Sequence, residues 1–244
     1  MKATFTFVGE LNDFLPHHRR NTSFSLMFAD HQSLKHLIES LGVPHTEFGL
    51  ILVNGQGTEP FCRMSEGDQV KVYPAEDPLE GETNFILDNH LGQLATYLRM
   101  LGFDCLYRND YQDEELSRVS LQDGRVLLTR DRRLLMRKVI TRGRCLHHTD
   151  PRKQVLEVLG RYQLYEQVKP FQRCLRCNST LQMVSKQDII DRLEPLTRQY
   201  FDEFRICPAC DQIYWKGSHF SRMLEMITEL GYQEPPSNLN DSEV

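Results

Sequence analysis

Two Cys-x-x-Cys pairs, Cys174/Cys177 and Cys207/Cys210, restrict what the last third of this 244-residue chain can become. Thiolates separated by two residues on a tight knuckle can both face one ion, and two knuckles complete the tetrahedron of a structural zinc site. Asn178 and Pro208 are turn-forming residues at those knuckles. The 29 residues between the pairs exceed the gap of a minimal ribbon, and Ser185 to Tyr200 reads as an inserted helical element. A thioredoxin-like redox pair would need one Cys-x-x-Cys at a helix start after a strand. Two pairs with similar flanks argue against that. With all four positions filled by sulfur, the expected zinc is structural, and the surrounding lobe depends on it, since such binding amounts to about 10–16 kcal/mol.

The other three cysteines, Cys62, Cys105 and Cys145, stand singly in apolar segments and read as small buried residues. A secreted disulfide scaffold would use cysteine densely and evenly. No apolar run approaches the ~20 residues of a membrane helix. The start, Met1 to Phe7, alternates like a strand and lacks the apolar core of a signal peptide. A cytoplasmic protein with no membrane partner is expected.

Hydrophobic periodicity divides the chain into three parts and a tail. In residues 1–75, Phe5 and Phe7 alternate with threonines, and Phe24, Leu26 and Phe28 alternate again, the period of strands. Leu34, Leu37, Ile38 and Leu41 recur at helix spacing until Gly42, with Pro44 beyond. Leu50 to Val53 leads into the turn pair Asn54-Gly55, and Val70 to Tyr73 makes a last strand. Strand, strand, helix, strand, strand suggests a β-grasp, ubiquitin-like module. Residues 76–83, acidic with Pro78 and Gly81, read as a linker. Residues 84–172 alternate strands (Phe85–Asp88, Phe103–Tyr107, Arg125–Thr129, Arg144–His147) with helices, including one from about Arg132 to Ile140, which implies a parallel α/β sheet. Residues 173–231 hold the zinc ribbon and helices, the last bearing Met223, Leu224, Met226, Ile227 and Leu230, and residues 232–244 read as a disordered tail.

Asp88, Asp113 and Asp131 each fall where a strand ends or the next helix begins. In a parallel sheet such points gather at the carboxyl edge, where ligands bind. Carboxylates converging there repel unless they hold a hard divalent cation, Mg²⁺ or Mn²⁺. Each one alone is equally a good helix N-cap. Beside them runs Arg130, Arg132, Arg133, Arg137, Lys138, Arg142 and Arg144, with Asp131 as the only acid among them. Residues 84–172 are the basic third, 15 basic against 11 acidic side chains, while the chain as a whole carries −5. A strip of one sign suits phosphate better than plain solvation.

Two resemblances sharpen these readings. The stretches ILVNG at 51–55 and EGDQVKVYPA at 66–75 resemble the ThiS/MoaD sulfur-carrier superfamily over about the first 75 residues. Those carriers end in a free Gly-Gly tail, whereas this chain continues through residues 75–82, so docking or substrate presentation is expected in place of sulfur transfer. From about 84 to 230, FILDNHLGQLATYLRMLGFDCLY, DEEL, RVLLTRDRRLL, RCLRCNSTL and CPACDQIYWKGSH resemble the RNase domain first named from the C-terminus of the mut-seven exonuclease. That resemblance implies a PIN-like sheet, a divalent-metal site and RNA cleavage, with Asp88, Asp113 and Asp131 matching the family's acidic motifs. PIN nucleases commonly add a fourth acid, for which Asp150 and Glu114 are the candidates. The expectation is a ribonuclease, endonucleolytic, with Mg or Mn on the carboxylates, structural zinc on the cysteines, and RNA held by Arg130, Arg132, Arg133 and Arg137. The segment Tyr214 to His219 reads as packing and surface or, alternatively, as an RNA contact in which Trp215 offers a base-stacking face and His219 a phosphate contact. The rival expectation is a noncatalytic RNA-binding adaptor that recruits a protein partner through its β-grasp module.

Overall fold

The computed structural model describes residues 1–76 and 83–229. Apart from Glu76 and Thr83, the expected linker and the tail fall outside the described residues. The chain folds as two compact units, Met1–Gly92 with Leu106–Asp150, and Gln93–Cys105 with the residues from Pro151 on. No helix among the described residues is long and apolar enough to cross a membrane.

The first 76 residues supply β1 (Lys2–Phe7), β2 (Phe24–Met27), α1 (Leu34–Ser40), β3 (Phe48–Val53), β4 (Gln56–Thr58) and β5 (Gln69–Pro74). They form one mixed sheet in the order β2-β1-β5-β3-β4, with β1 parallel to β5 and the other pairs antiparallel. Alternation fixes which face is inward: Ala3, Phe5 and Phe7 are buried while their neighbours are not. Ser33 caps α1 by accepting from the His36 amide. Asn54 and Gly55 both take positive φ, 52° and 83°, which lets β3 reverse tightly into β4. The ubiquitin-like architecture read from the sequence is thus present, with the short β4 added.

The next segment contributes β6 (Asn84–Leu87), α2 (Gly92–Met100), β7 (Asp104–Tyr107), α3 (Asp113–Asp123), β8 (Val126–Thr129), α4 (Arg132–Leu135) and β9 (Gly143–Cys145). The sheet runs β7-β6-β8-β9, with β6 parallel to β8 and β8 parallel to β9. All four side chains of β8 are buried, the signature of a strand covered on both faces. The helix expected from Arg132 to Ile140 is only α4, four residues long. Val139, Ile140 and Thr141, β-branched in succession, disfavour its continuation, and the chain leaves through turns closed by Arg137 N–H to Leu134 O and Ile140 N–H to Arg137 O.

Within the first unit, one buried apolar cluster runs from Phe5, Leu11, Ile38 and Val72 to Ile86, Leu116, Leu127, Leu134 and Ile140. The ubiquitin-like sheet and the parallel sheet therefore share a core. Polar contacts cross the same boundary. Arg144, 2% exposed, donates to Glu47 Oε2 (2.6 Å) and Glu10 Oε1 (3.0 Å), and His45 Nε2 lies 2.8 Å from Ile140 O.

The second unit holds α5 (Pro151–Arg161), β10 (Gln182–Val184), α6 (Lys186–Ile189), α7 (Pro195–Tyr200), β11 (Phe204–Ile206), β12 (Ile213–Trp215) and α8 (Ser218–Glu229). Strands β10, β11 and β12 form an antiparallel sheet over Ile189, Leu193, Phe204 and Ile213. The expected insertion of helix between the cysteine pairs is α6 and α7. In α8 the side chains of Met223, Leu224, Met226 and Ile227 lie outside the described residues.

Gly102 ends α2 with φ 98°, and the Lys169 carbonyl occupies the space that a Cβ there would take. Gly102→Ala combines a forbidden φ with a backbone clash, so urea unfolding is expected to show a loss of about 2–4 kcal/mol.

Candidate functional site

Parallel pairing brings the carboxyl ends of β6, β8 and β9 to one level, and polar side chains collect there. Leu87 is registered against Leu128, and the Asp88 amide donates to Leu128 O at 3.0 Å, which sets Asp88 beside Thr129. The Thr129 hydroxyl, fully buried, donates to Asp88 Oδ2 at 2.6 Å and accepts from the Asp131 amide at 2.9 Å. Asp88 Oδ1 accepts from the Asn89 amide at 2.7 Å. Asp131 caps α4, its Oδ1 accepting from the Arg133 amide at 2.8 Å. Thr129 thus ties two of the three sequence-predicted acids into one network. Asn89 Oδ1 is buried with no hydrogen-bond partner, an acceptor directly after Asp88.

Asp113 stands apart from this pair. Its Oδ2 accepts from Arg137 Nη2 at 3.1 Å, and the same guanidinium holds Glu114 Oε1 at 3.2 Å. A hydrogen bond to its own backbone and the Arg137 charge hold Glu114 below the usual carboxylate range. Asp150 is exposed just ahead of α5. Among the described residues, the sole group of three or more metal-type ligands drawn within 4.8 Å is the cysteine quartet, so the three aspartates do not converge to that degree.

The basic strip divides by partner. Arg132 spends its guanidinium on the carbonyls of Phe14 (3.0 Å) and Asp13 (3.4 Å) and lies over the Phe14 ring. Arg137 is paired to Asp113 and Glu114, Arg142 to the Gly124 carbonyl, and Arg144 is buried against glutamates. Arg130, Arg133 and Lys138 are exposed, with no side-chain partner among the described residues.

The cysteine site is built from two matching knuckles. Cys174 N–H donates to Ser179 O and Asn178 N–H to Cys174 O; Cys207 N–H donates to Gln212 O and Asp211 N–H to Cys207 O. Asn178 and Asp211, each four residues past the first cysteine, take left-handed φ of 72° and 60°. Those residue types tolerate that conformation, which lets each loop fold back. The sulfurs meet pairwise, Cys174 to Cys210 at 3.5 Å and Cys177 to Cys207 at 3.3 Å. A tetrahedral zinc with bonds of about 2.3 Å needs an edge of about 3.8 Å, so the donor set fits that ion. Burial pushes the Cys210 thiol up to about 12. Burial also opposes the Cys177 thiolate, yet hydrogen bonds with Ser179 and its cysteine neighbours outweigh it and bring that thiol down to about 6. A cation that draws protons off all four must therefore supply the rest of the driving force.

Three groups support the site: Tyr214 and Arg99, which carry no metal-site signal in the sequence, and Asn178, which reads there only as a turn residue. Tyr214 Oη lies 3.1 Å from Cys174 Sγ and accepts from the Leu175 amide. Arg99, buried in α2, donates to the carbonyls of Leu175 and Arg176 in the first knuckle and of Cys105. Asn178 binds back through its side chain to the Cys105 amide and Asp104. Recurrence of a short amide or carboxylate residue after each Cys-x-x-Cys was a visible signal for the knuckles; nothing local marks Arg99. Trp215 packs against Phe204 with ring centroids 6.5 Å apart, and the His219 side chain lies outside the described residues.

A family model described as the Mut7-C RNAse domain matches residues 83–227, more than half of the chain. This chain belongs to that family. A second model, Mut7-C ubiquitin, matches residues 1–80 ahead of it. Among solved structures, SAMP1 from Haloferax volcanii is similar at 14% identity and a TM-score of 0.26, over 33% of this chain and 99% of its own. No curated protein matches. The Mut7-C RNAse match takes in Asp88, Thr129, Asp131 and all four cysteines, and points to an RNase-related function.

The knuckles predict a metal-dependent fold. Elemental analysis of purified protein is expected to give about one zinc per chain, and Cys207→Ser to leave the β10–β12 region protease-sensitive while residues 1–76 stay folded. A zinc-free protein with that region intact would contradict this.

Proposed function

We propose that this protein is a metal-dependent ribonuclease that cuts RNA phosphodiesters endonucleolytically at the carboxyl edge of the parallel sheet. One observation carries the reading: a buried threonine hydroxyl holds the Asp88 carboxylate and the Asp131 backbone together where β6 and β8 end. Burying a carboxylate is costly unless its charge is put to use or paired, and the neighbouring Asn89 Oδ1 is an unsatisfied buried acceptor. Oxygen donors of this kind suit Mg²⁺ or Mn²⁺. Asp88 and Asp131, with the Asn89 amide oxygen, are the residues that would hold the cation, and Asp113, paired to Arg137, is the third carboxylate of the proposed set. Bound there, the metal supplies water activation and neutralisation of phosphate charge. Thr129 fixes the rotamer of Asp88, so that its carboxylate meets substrate already oriented. Arg130 and Arg133, exposed and with no side-chain partner among the described residues, grip backbone phosphates beside the edge. Zinc at the cysteines keeps the ribbon folded and takes no part in the chemistry, having four sulfur ligands.

A second reading, an RNA-binding adaptor without cleavage, is favoured by the pairing of Asp113 to Arg137, which leaves two acids at the edge. It would seat a protein partner on the ubiquitin-like module, where Met27 and Leu50 are exposed.

Asp131→Asn separates the two. Asparagine caps a helix nearly as well as aspartate, so urea stability is expected to change by less than about 0.5 kcal/mol. Metal-dependent cleavage should disappear while RNA affinity is kept. A mutant that cuts as fast as wild type would remove Asp131 from the site. The double variant R130E/R133E tests the grip: affinity should fall, and the slope of log affinity against log salt should flatten by about one to two, roughly one for each phosphate no longer held. An unchanged slope would make these arginines plain surface.

A further inference from the structure

The ubiquitin-like module reaches the proposed site by a continuous series of hydrogen bonds, all within the first unit. Glu47, just before β3, is completely buried, yet its two carboxylate oxygens both point into the RNase half. Oε2 accepts from Arg144 Nη1 at 2.6 Å, and Oε1 accepts from the Cys145 amide at 2.6 Å. Both partners lie in β9. In that strand Arg144 is registered against Leu128 and Cys145 against Thr129, and the Leu146 amide donates to Thr129 O at 2.8 Å. Thr129 in turn holds Asp88 and Asp131.

We infer that the ubiquitin-like module is an intramolecular positioning element of the nuclease, and that Glu47 is the positioning residue, acting through β9 on Thr129. The inference rests on the ribonuclease reading of the acidic edge. Its physical basis is the short β9, three residues long, whose amides past Arg144 need acceptors if the strand is to end in register. The partner strand supplies one such acceptor, the Thr129 carbonyl, and the ubiquitin-like module's glutamate supplies the other. A buried carboxylate that accepts both an arginine and a backbone amide fixes its partners more tightly than an apolar contact, because either donor left alone would be buried and unsatisfied. The cluster spanning Phe5 to Ile140 packs the module against the same half through apolar burial as well. In this role the module acts on the site from within the chain, whatever else its open face binds.

Two charge-matched variants of the full chain test this. In both, Arg144→Met removes the buried cation together with the Glu47 charge, so neither strands one member of that ion pair inside. E47Q/R144M keeps an oxygen acceptor for the Cys145 amide; E47L/R144M removes it. The readouts are amide hydrogen exchange at Leu146, the kcat and KM of RNA cleavage, and the urea midpoint as a check on folding. Positioning predicts that E47L/R144M exchanges about tenfold faster at Leu146 and falls about tenfold in kcat at unchanged KM, while E47Q/R144M stays within about twofold of wild type on both. If the two variants exchange and cut alike, or unfold alike, Glu47 is packing and the inference is overturned. Should wild type cut no RNA, the ribonuclease reading falls, and the exchange at Leu146 still decides whether Glu47 sets the strand end.

Discussion

Parallel registration of three short strands is the constraint on which the candidate chemistry depends. A parallel ladder ends all its strands facing the same way, so the residues just past β6, β8 and β9 meet at one edge whatever their distance in sequence. Leu87 against Leu128 puts Asp88 beside Thr129; Thr129 against Cys145 puts the end of β9 beside both. A slip of one residue would turn Thr129 toward the other face of the sheet and release Asp88. The registration is held by side chains that can sit only inside: β8 is buried throughout, and a Cβ at Gly143 would press on the buried Leu135 side chain (2.6 Å) and the Leu127 carbonyl (3.2 Å). The buried Glu47 carboxylate adds a fixed stop at the outer strand.

The cysteine region solves a different problem. Among the described residues, its three-stranded sheet covers a small apolar core of Ile189, Leu193, Phe204 and Ile213. Two knuckles with the same hydrogen bonds and the same left-handed turn bring four sulfurs together, a donor set whose bound metal would add to that core. Arg99 and Asn178 then fasten the first knuckle to α2 and the start of β7. A zinc ion held there would act as a clamp, and its contribution would be cohesion.

What the sequence displayed and what it hid divide along the distance of the partner. Cys-x-x-Cys spacing, the Asn54-Gly55 turn, the alternation of β1 and the stop at Gly42 are local signals, and the structure has each in place. The placing of Asp88 and Asp131 just past strands was legible because strand ends are. The roles of the arginines were not, because a guanidinium is committed by residues far along the chain: Arg132 to Phe14 and Arg144 to Glu47 join positions that no window of sequence compares. The strip that read as one phosphate-binding row is therefore partly internal scaffolding, with Arg130, Arg133 and Lys138 left over. Thr129 and Asn89 carried no signal either, since a threonine ending an apolar strand and an asparagine opening a turn are ordinary in themselves.

We propose that this edge cuts RNA with a divalent cation. The most direct measurement follows assorted RNAs over time with wild-type protein of verified zinc content, in Mg²⁺, in Mn²⁺ and in neither. Internal cuts are expected in one or both metals and none without added metal. Zinc-loaded, folded protein that leaves every RNA intact in both metals, while still binding it, would contradict it.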